Sequence, residues 1–298
     1  MSKKPLCIYH GNCADGFTSA WAVWRKHGEE FDYFAGIYGE EPPDVLGRDV
    51  YLVDFSYKRD VLQDMATRAR SIIVLDHHKT AQADLAPFTD IGLSSCLEEE
   101  VVHLKFEGKP AIAARFDMDK SGAMLAWEHF HPGKAAPELV RYVQDRDLWR
   151  FALPGSREVS AYIFAHEYTF ENWDYLRSVI EPHEERQNVI YAGAAIEKKH
   201  HKDVAELVAK SKRRMDIGGV SVPVANLPYT MSSDAGHLMA QGEPFAACYF
   251  DTATHRIFSL RSADDGMDVS EIAAAQGGGG HARAAGFQLP LSEAEEAA

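Results

Sequence analysis

Blocks of hydrophobic and polar positions alternate along the N-terminal half of the chain. Three short apolar runs are typical of buried strands: PLCIYH at 5–10, DVYLVDFS at 49–56 and SIIVLDHH at 71–78. Between them, GFTSAWAVWRKHG at 16–28 and KRDVLQDMATRAR at 58–70 place apolar residues at helical spacing. This alternation of strands and helices predicts an α/β fold with a mainly parallel sheet.

A polar stretch separates this half from a C-terminal region with a different pattern of apolar residues. Residues 183–215 carry apolar side chains at broadly helical spacing, and RRMDIGG at 213–219 ends the stretch. Three strand-like pieces and one helical piece follow: VSVPVANL at 220–227, PFAACYF at 244–250, HRIFSLRS at 255–262 and DVSEIAAAQ at 268–276. We therefore expect an N-terminal α/β domain at 1–182, a helical connector at 183–215 and a smaller α+β domain at 216–298.

The charge balance limits the partners that the chain can bind. Its 298 residues include 31 Lys and Arg against 45 Asp and Glu, and the net charge of −14 disfavours nonspecific coating of nucleic acid. An anionic substrate would need a local cationic site. Apolar runs fall short of the roughly 20 residues that a membrane span needs, so we expect no membrane partner.

The cysteines bear on the cellular compartment. Cys7, Cys13, Cys96 and Cys248 show no CxxC spacing, which argues against both a disulfide framework and a cysteine zinc site. The N-terminus also lacks the long apolar region of a signal peptide. We expect a cytoplasmic protein, and both a monomer and a homodimer stay open.

Groups that bind metals stand at or just beyond the ends of the three predicted N-terminal strands. The carboxyl ends of parallel strands meet at one edge of a sheet, so these groups should converge there. Carboxylates together with imidazoles suit manganese, iron or zinc better than calcium, and a bridging carboxylate can hold two ions about 3.5 to 4 Å apart. The candidates are His10, Asp15, Asp54, Asp76, His77 and His78.

Several motifs together resemble the DHH phosphoesterase superfamily, which is named for a sequence such as Asp76-His77-His78. YHGNCADGFTSA at 9–20 resembles its first motif, and Asp54 falls where the second motif supplies a bridging aspartate. ELVRYVQDRDLW at 138–149 resembles the fourth motif, with Asp145 as the ligand. GGGGHARAAGF at 277–287 resembles the glycine-histidine signature of the DHH-associated C-terminal domain, so the resemblance extends over nearly the whole chain.

The resemblance implies two divalent ions, with manganese favoured, and a set of ligands for each. One ion would be held by His10 and Asp54, and the other by Asp15, Asp54, His77 and Asp145. Asp76 would orient His77 or join the ligands. His78 would face the scissile phosphate, so that Asp76 and His78 are the candidate catalytic residues.

One departure from the family pattern concerns the first motif. The family usually has a second aspartate there, where this chain has Asn12, Cys13 and Ala14. Cys13 is either a replacement ligand, which would favour softer ions than magnesium, or a small buried thiol beside the site. Both readings stay open.

The C-terminal domain offers candidate contacts to substrate. The glycine run lets backbone amides approach a phosphate, and nearby side chains add charged donors. Arg261, at the end of a predicted strand, could clamp a terminal phosphate with its fork of N–H groups. The candidate substrate-binding residues are Arg261, Gly278, Gly279, Gly280, His281 and Arg283. Trp149 and Trp173 could stack on bases, but core packing is commoner for such residues, and we assign them no site role.

The function that these expectations imply is hydrolysis of phosphodiester bonds in short single-stranded oligonucleotides, as in an oligoribonuclease-like exonuclease, by a water activated between two ions. A cyclic-dinucleotide phosphodiesterase and a phosphatase of 3′-phosphoadenosine 5′-phosphate are alternatives, because the same two domains serve all three. A non-catalytic nucleotide-binding regulator with a degenerate metal site is the alternative of another class.

Overall fold

The computed structural model describes residues 3–11, 13–89 and 98–292. Asn12, Cys96 and residues 293–298 of the acidic tail lie outside this part of the chain. The protein divides into two compact units, Met1–Ile196 and Glu197–Ala298. The boundary falls inside the long helix α9 (His183–Ser211), which occupies most of the predicted connector. The domain limits 1–182, 183–215 and 216–298 stay predictions.

Within the described residues, a sheet of five parallel strands forms the centre of the first unit, which confirms the predicted α/β class. Strands β3 and β4 are buried along their whole length because helices cover both faces of a parallel sheet. In spatial order the strands are β2 (Asp32–Gly36), β1 (Leu6–His10), β3 (Asp49–Val53), β4 (Ser71–Asp76) and β5 (Ile112–Phe116).

Two apolar clusters pack the helices of this unit. One contains the fully buried Trp21 and Trp173, and the other contains Leu62 and Met65. The helices are α1 (Ala14–His27), α2 (Arg59–Arg68), α3 (Lys79–Asp84), α4 (Glu98–His103), α5 (Gly122–Phe130), α6 (Glu138–Asp147), α7 (Ser156–Phe164), α8 (Phe170–Ile180) and α9. None of the described helices is both long and apolar enough to cross a bilayer.

The strand register positions the candidate ligands. Tyr9 pairs with Val53, and Val53 pairs with Leu75. The residues that follow these three in sequence are His10, Asp54 and Asp76. They therefore leave the sheet side by side at its carboxyl edge, where ligands of open parallel sheets collect.

The second unit is built on a mixed sheet, which confirms the predicted smaller α+β part. Its strands β7 and β8 are parallel, and the other described pairs are antiparallel. In spatial order the strands are β10 (Gly279–His281), β11 (Ala284–Pro290), β9 (His255–Arg261), β8 (Ala246–Asp251), β7 (Val220–Asn226) and β6 (Arg213–Ile217), with helices α10 (Ser232–Met239) and α11 (Val269–Ala275).

Candidate metal centre

The carboxylate of Asp54 lies between two histidines. Its Oδ1 is 3.2 Å from Nε2 of His77, and its Oδ2 is 3.6 Å from Nδ1 of His10. Asp54 is only 1% exposed. The two oxygens of one buried carboxylate thus face different imidazoles, which is the arrangement that a carboxylate bridging two ions requires.

Two further carboxylates surround His77. Oδ2 of Asp147 lies 3.5 Å and Oδ2 of Asp15 lies 3.7 Å from Nε2 of His77. One potential ligand atom from each of these three side chains lies within 4.8 Å of the others. A second such group contains His10, Cys13 and Asp54, and a third contains Asp54, Asp76 and His78. Asp54 belongs to two of the groups.

The N-terminus of helix α5 holds Asp15 in place. The backbone N–H groups of Gly122 and Ala123 donate to the two oxygens of Asp15, at 2.6 Å and 3.1 Å. The first N–H groups of a helix have no partner within the helix and can donate to an outside acceptor, so they fix the orientation of the Asp15 carboxyl group. Asp15 therefore links α1, where it is located, to α5.

Asp76 orients His78 rather than His77. Oδ1 of Asp76 lies 2.7 Å from Nδ1 of His78 and also accepts the backbone N–H of His77 at 2.7 Å. Burial opposes ionisation of Asp76, but the charge of His78 and this hydrogen bond lower the pKa of the carboxyl. An ionised Asp76 fixes the imidazole of His78 with its other ring nitrogen, Nε2, on the far side of the ring.

Several buried polar atoms at this edge have no hydrogen-bond partner among the described residues. They are both carboxylate oxygens of Asp54, Oδ2 of Asp76 and Nδ1 of His10. Leaving a buried polar group unsatisfied costs about 1 to 3 kcal/mol, and such groups in native structures usually have an unseen partner. Oxygen and nitrogen donors that converge in this way fit divalent cations.

Neighbouring charges and burial shift the pKa values of the ionisable groups in this cluster. Burial opposes ionisation of Asp54, but the neighbouring imidazoles of His10 and His77 hold the pKa of its carboxyl well below the usual value. Burial lowers the pKa of His77, but Asp147, Asp54 and Asp15 raise it well above the usual value. Burial, together with repulsion from Asp54, raises the pKa of Asp15. In the absence of cations, protons bound to Asp15 and His77 therefore reduce the negative charge of the cluster.

A close backbone approach shapes the site around Asp54. Asp54 has a φ of 55°, in the left-handed region that aspartate tolerates better than most residues. A Cβ atom on Gly122 would lie 2.4 Å from the Cβ of Asp54, so only glycine fits at that position. The start of α5 therefore contacts Asp15 and Asp54 together.

Cys13 lies in the group with His10 and Asp54. Burial and the nearby carboxylates of Asp54 and Asp147 raise the pKa of its thiol well above the usual value. In the metal-free protein the thiol is therefore neutral. Its role as a replacement ligand stays a prediction.

The structure does not bring Asp145 to this cluster. Its carboxylate accepts the backbone N–H groups of Ala152 and Leu153, at 3.0 Å and 3.1 Å. Residues two apart on a helix point to different sides, so Asp145 and Asp147 cannot both face His77. We therefore correct the sequence-based ligand set by replacing Asp145 with Asp147. Both residues lie in the sequence QDRD. The sequence does not show which of the two side chains at the end of α6 points toward His77.

In the second unit, Arg261 and His281 lie in one row of the sheet. Arg261 pairs with Ala284 across β9 and β11, and Ala284 pairs with His281 across β11 and β10. Directly paired residues place their side chains on the same face. Arg261 also donates to Oγ of Ser233 at 2.9 Å, a contact that fixes its guanidinium.

The glycines and Arg283 of the predicted substrate set have different surroundings. A Cβ on Gly278 would lie 2.0 Å from the carbonyl oxygen of Gly286, so this glycine serves strand packing. Gly279 and Gly280 lie in β10, and Gly280 has a φ of 139°. Arg283 donates to the carbonyl oxygen of Gly266 at 2.6 Å and to that of Asp264. Because the guanidinium of Arg283 is hydrogen-bonded to loop carbonyl groups, we leave Arg283 out of the substrate contacts proposed below.

A comparison with known families matches residues 232–298 to the DHHA1 domain. This match confirms the C-terminal domain type that the sequence implied and supports the resemblance to the DHH superfamily. The uncharacterized protein R106 of Acanthamoeba polyphaga mimivirus is 29% identical over 95% of this chain. The chain spans 66% of the length of that relative.

Two solved structures are reported among those similar to this chain. The pGpG-specific phosphodiesterase PggH from Vibrio cholerae has 14% identity and a TM-score of 0.45, covering 99% of this chain and 96% of its own. RecJ from Thermus thermophilus, in complex with Mn²⁺, has 12% identity and a TM-score of 0.47, covering 97% of this chain and 50% of its own.

Proposed function

We propose that this protein is a divalent-metal-dependent phosphoesterase that hydrolyses phosphodiester bonds of short oligonucleotides. The observation that carries the proposal is the buried carboxylate of Asp54, whose two unsatisfied oxygens face His10 on one side and His77 on the other. The DHHA1 match in residues 232–298 agrees with it.

The residues that would hold the ions fall into two sets around Asp54. His10, with Cys13 beside it, forms one set, and Asp15, His77 and Asp147 form the other. Bound there, two divalent ions, with manganese favoured by the mix of imidazole and carboxylate, would neutralise phosphate oxygens and lower the pKa of a coordinated water.

The protein's own groups supply orientation and proton transfer. The carboxylate of Asp76 holds Nδ1 of His78 at 2.7 Å, so Nε2 of His78 is the ring nitrogen that would donate to a phosphate oxygen or protonate a leaving alkoxide. The buried setting of Asp54 and Asp76 excludes bulk water from their carboxylates.

Arg261 and His281 are the proposed contacts to a second phosphate or to the terminal nucleotide. Both side chains lie on one face of the sheet and are separated by a single strand, a distance of about 10 Å. A guanidinium and an imidazole at this spacing suit an anionic ligand of nucleotide size.

The proposed substrate class includes three chemistries that share these needs. Linear dinucleotides come first, and cyclic dinucleotides and 3′-phosphoadenosine 5′-phosphate are the alternatives. A non-catalytic nucleotide-binding regulator would use the same residues to bind a nucleotide without turnover. The carboxylates and imidazoles that the chain retains around Asp54 favour an enzyme.

One substrate panel tests the proposal. Linear dinucleotides, longer RNA and DNA, a cyclic dinucleotide and 3′-phosphoadenosine 5′-phosphate are each incubated with the protein, with and without manganese, and products are separated by chromatography. Metal-dependent turnover that is fastest on linear dinucleotides is expected. Nucleotide binding without turnover of any substrate would favour the regulator.

A further inference from the structure

A strained loop follows helix α6 directly. Trp149 has a φ of 54° and Phe151 a φ of 49°, both in the left-handed region that bulky side chains rarely enter. Each such residue costs on the order of 1 kcal/mol or more, and strain of this kind persists only where the surroundings enforce it. The loop therefore has a conformation that its aromatic residues do not prefer.

Asp145 enforces this conformation. Besides the two hydrogen bonds to its carboxylate, its carbonyl oxygen accepts the N–H groups of Arg150 at 2.8 Å and Phe151 at 3.3 Å. Asp145 is buried, and its hydrogen bonds hold the loop in this conformation. These hydrogen bonds thus compensate for the backbone strain. The strained conformation places the rings of Trp149 and Phe151.

These two rings meet edge to face, and each lies against an arginine. We call this cluster the aromatic–arginine platform, and its members are Arg146, Trp149, Phe151 and Arg157. The guanidinium of Arg157 lies 3.7 Å from the ring centre of Phe151, and that of Arg146 lies 4.2 Å from the ring centre of Trp149. The two rings are 4.9 Å apart. All four residues are partly exposed, whereas Trp173 is fully buried and belongs to the core.

The platform lies next to the candidate metal centre in the same unit. Trp149 is two residues after Asp147, so their Cα atoms are at most about 8 Å apart. Oδ2 of Asp147 is in turn 3.5 Å from His77.

We propose that the aromatic–arginine platform binds the base of the nucleotide next to the scissile phosphate, by stacking on Trp149. This inference rests on the proposed phosphodiesterase function and specifies its substrate as one that carries a nucleobase. Aromatic rings and guanidinium planes both stack on bases without regard to sequence. The platform therefore predicts activity on many base sequences.

The test compares two substrates that differ only in the base. One is a dinucleotide, and the other is the same dinucleotide with the base next to the scissile bond removed. The ratio of their kcat/KM values is expected to fall about 10-fold in Trp149→Ala, the scale of one base stack. Trp149→Phe, which keeps an aromatic ring, should restore most of the ratio.

A matched control is Tyr191→Ala, which removes an aromatic side chain that is 84% exposed on helix α9. It should keep the wild-type ratio. An unchanged ratio in Trp149→Ala would overturn the proposal. Bound metal, measured by atomic emission, shows whether a variant has instead damaged the ion site.

A binding measurement separates this inference from the proposed function. Titration with adenosine monophosphate should quench tryptophan fluorescence in the wild type, and this quenching should be lost in Trp149→Phe. If the wild type hydrolysed neither dinucleotide but showed this difference, the phosphodiesterase would be rejected and the platform retained. Equal quenching in both proteins would reject the platform.

Discussion

Gly122 and Asp54 lie so close that a Cβ atom on the glycine would be 2.4 Å from the Cβ of the aspartate. The N-terminus of α5 also holds Asp15 through the N–H groups of Gly122 and Ala123. One backbone segment therefore positions two of the proposed metal ligands.

Gly122→Ala is expected to weaken metal binding. The added methyl group must displace Asp54 or the start of α5, and outer contacts of this kind typically change metal affinity 10- to 100-fold. Isothermal titration with manganese measures the effect. Ala126→Gly is the control, since it loosens the same helix at a buried position but adds no atom near Asp54. Equal losses of affinity in both variants would contradict a specific role for Gly122.

Asp145→Asn should mainly reduce stability, and Asp147→Asn should mainly reduce metal affinity. The first replaces a carboxylate that accepts two backbone N–H groups, so we expect a loss of stability of about 1 to 3 kcal/mol. The second removes a charge near Asp54 and Asp15, so the metal-free protein should be as stable as the wild type or more stable, while metal affinity falls at least about 10-fold.

Denaturant unfolding of the metal-free proteins, combined with metal titration, checks this pair. The account predicts that Asp145→Asn loses mainly stability and that Asp147→Asn loses mainly metal. The reverse pattern would restore Asp145 as the ligand.

The acid stability of the protein should depend in part on His129. Burial, with help from Arg115, lowers the pKa of this histidine to about 4. The unfolded chain binds this proton more readily, so the contribution of His129 is complete above about pH 6.5 and is lost as the pH falls toward 4. Between about pH 7 and pH 5 the loss should be about 2 kcal/mol.

Unfolding free energies of wild type and His129→Gln at these two pH values measure that contribution. The variant should lose less stability than the wild type on acidification, because its side chain does not titrate. Identical losses would mean that His129 keeps its usual pKa in the folded protein.

Arg261→Ala is expected to impair dinucleotide hydrolysis and to leave the metals bound, since Arg261 and the metal cluster belong to different units. Loss of a charge-assisted hydrogen bond costs on the order of 2 to 3 kcal/mol in kcat/KM, with a smaller effect on a small generic phosphodiester. Arg256→Ala is the control, because it removes an arginine from the same strand that pairs with Asp251. Equal losses on both substrates in Arg261→Ala would contradict a substrate-specific contact.

The sequence predicted the central strands and not the edges of the first sheet. Strands β1, β3 and β4 have neighbours on both sides, so their sequences read as continuous apolar runs. Strands β2 and β5 are the outer strands of the described sheet and are partly exposed, so DYFAG and IAARF show no such run. Edge strands follow from the pairing of the whole sheet, which local periodicity does not contain.

At the site, the sequence indicated which residue types converge but not how each side chain points. His10, Asp54 and Asp76 could be predicted because strand ends of a parallel sheet share one edge. The choice between Asp145 and Asp147 depends on where α6 ends, and Gly122 becomes part of the site only through the packing of α5 on Asp54. Such contacts are set by tertiary packing.

The central claim is that Asp54 joins two ions, and metal counting in Asp54→Asn with a matched activity assay tests it most directly. Asparagine has nearly the same shape and tolerates the φ of 55°, so the backbone should be retained while the bridging charge is lost. We predict two bound manganese ions in the wild type, at most one in the variant, and a loss of dinucleotide hydrolysis of at least about 100-fold. Two ions bound with unchanged affinity and full turnover in Asp54→Asn would contradict the account.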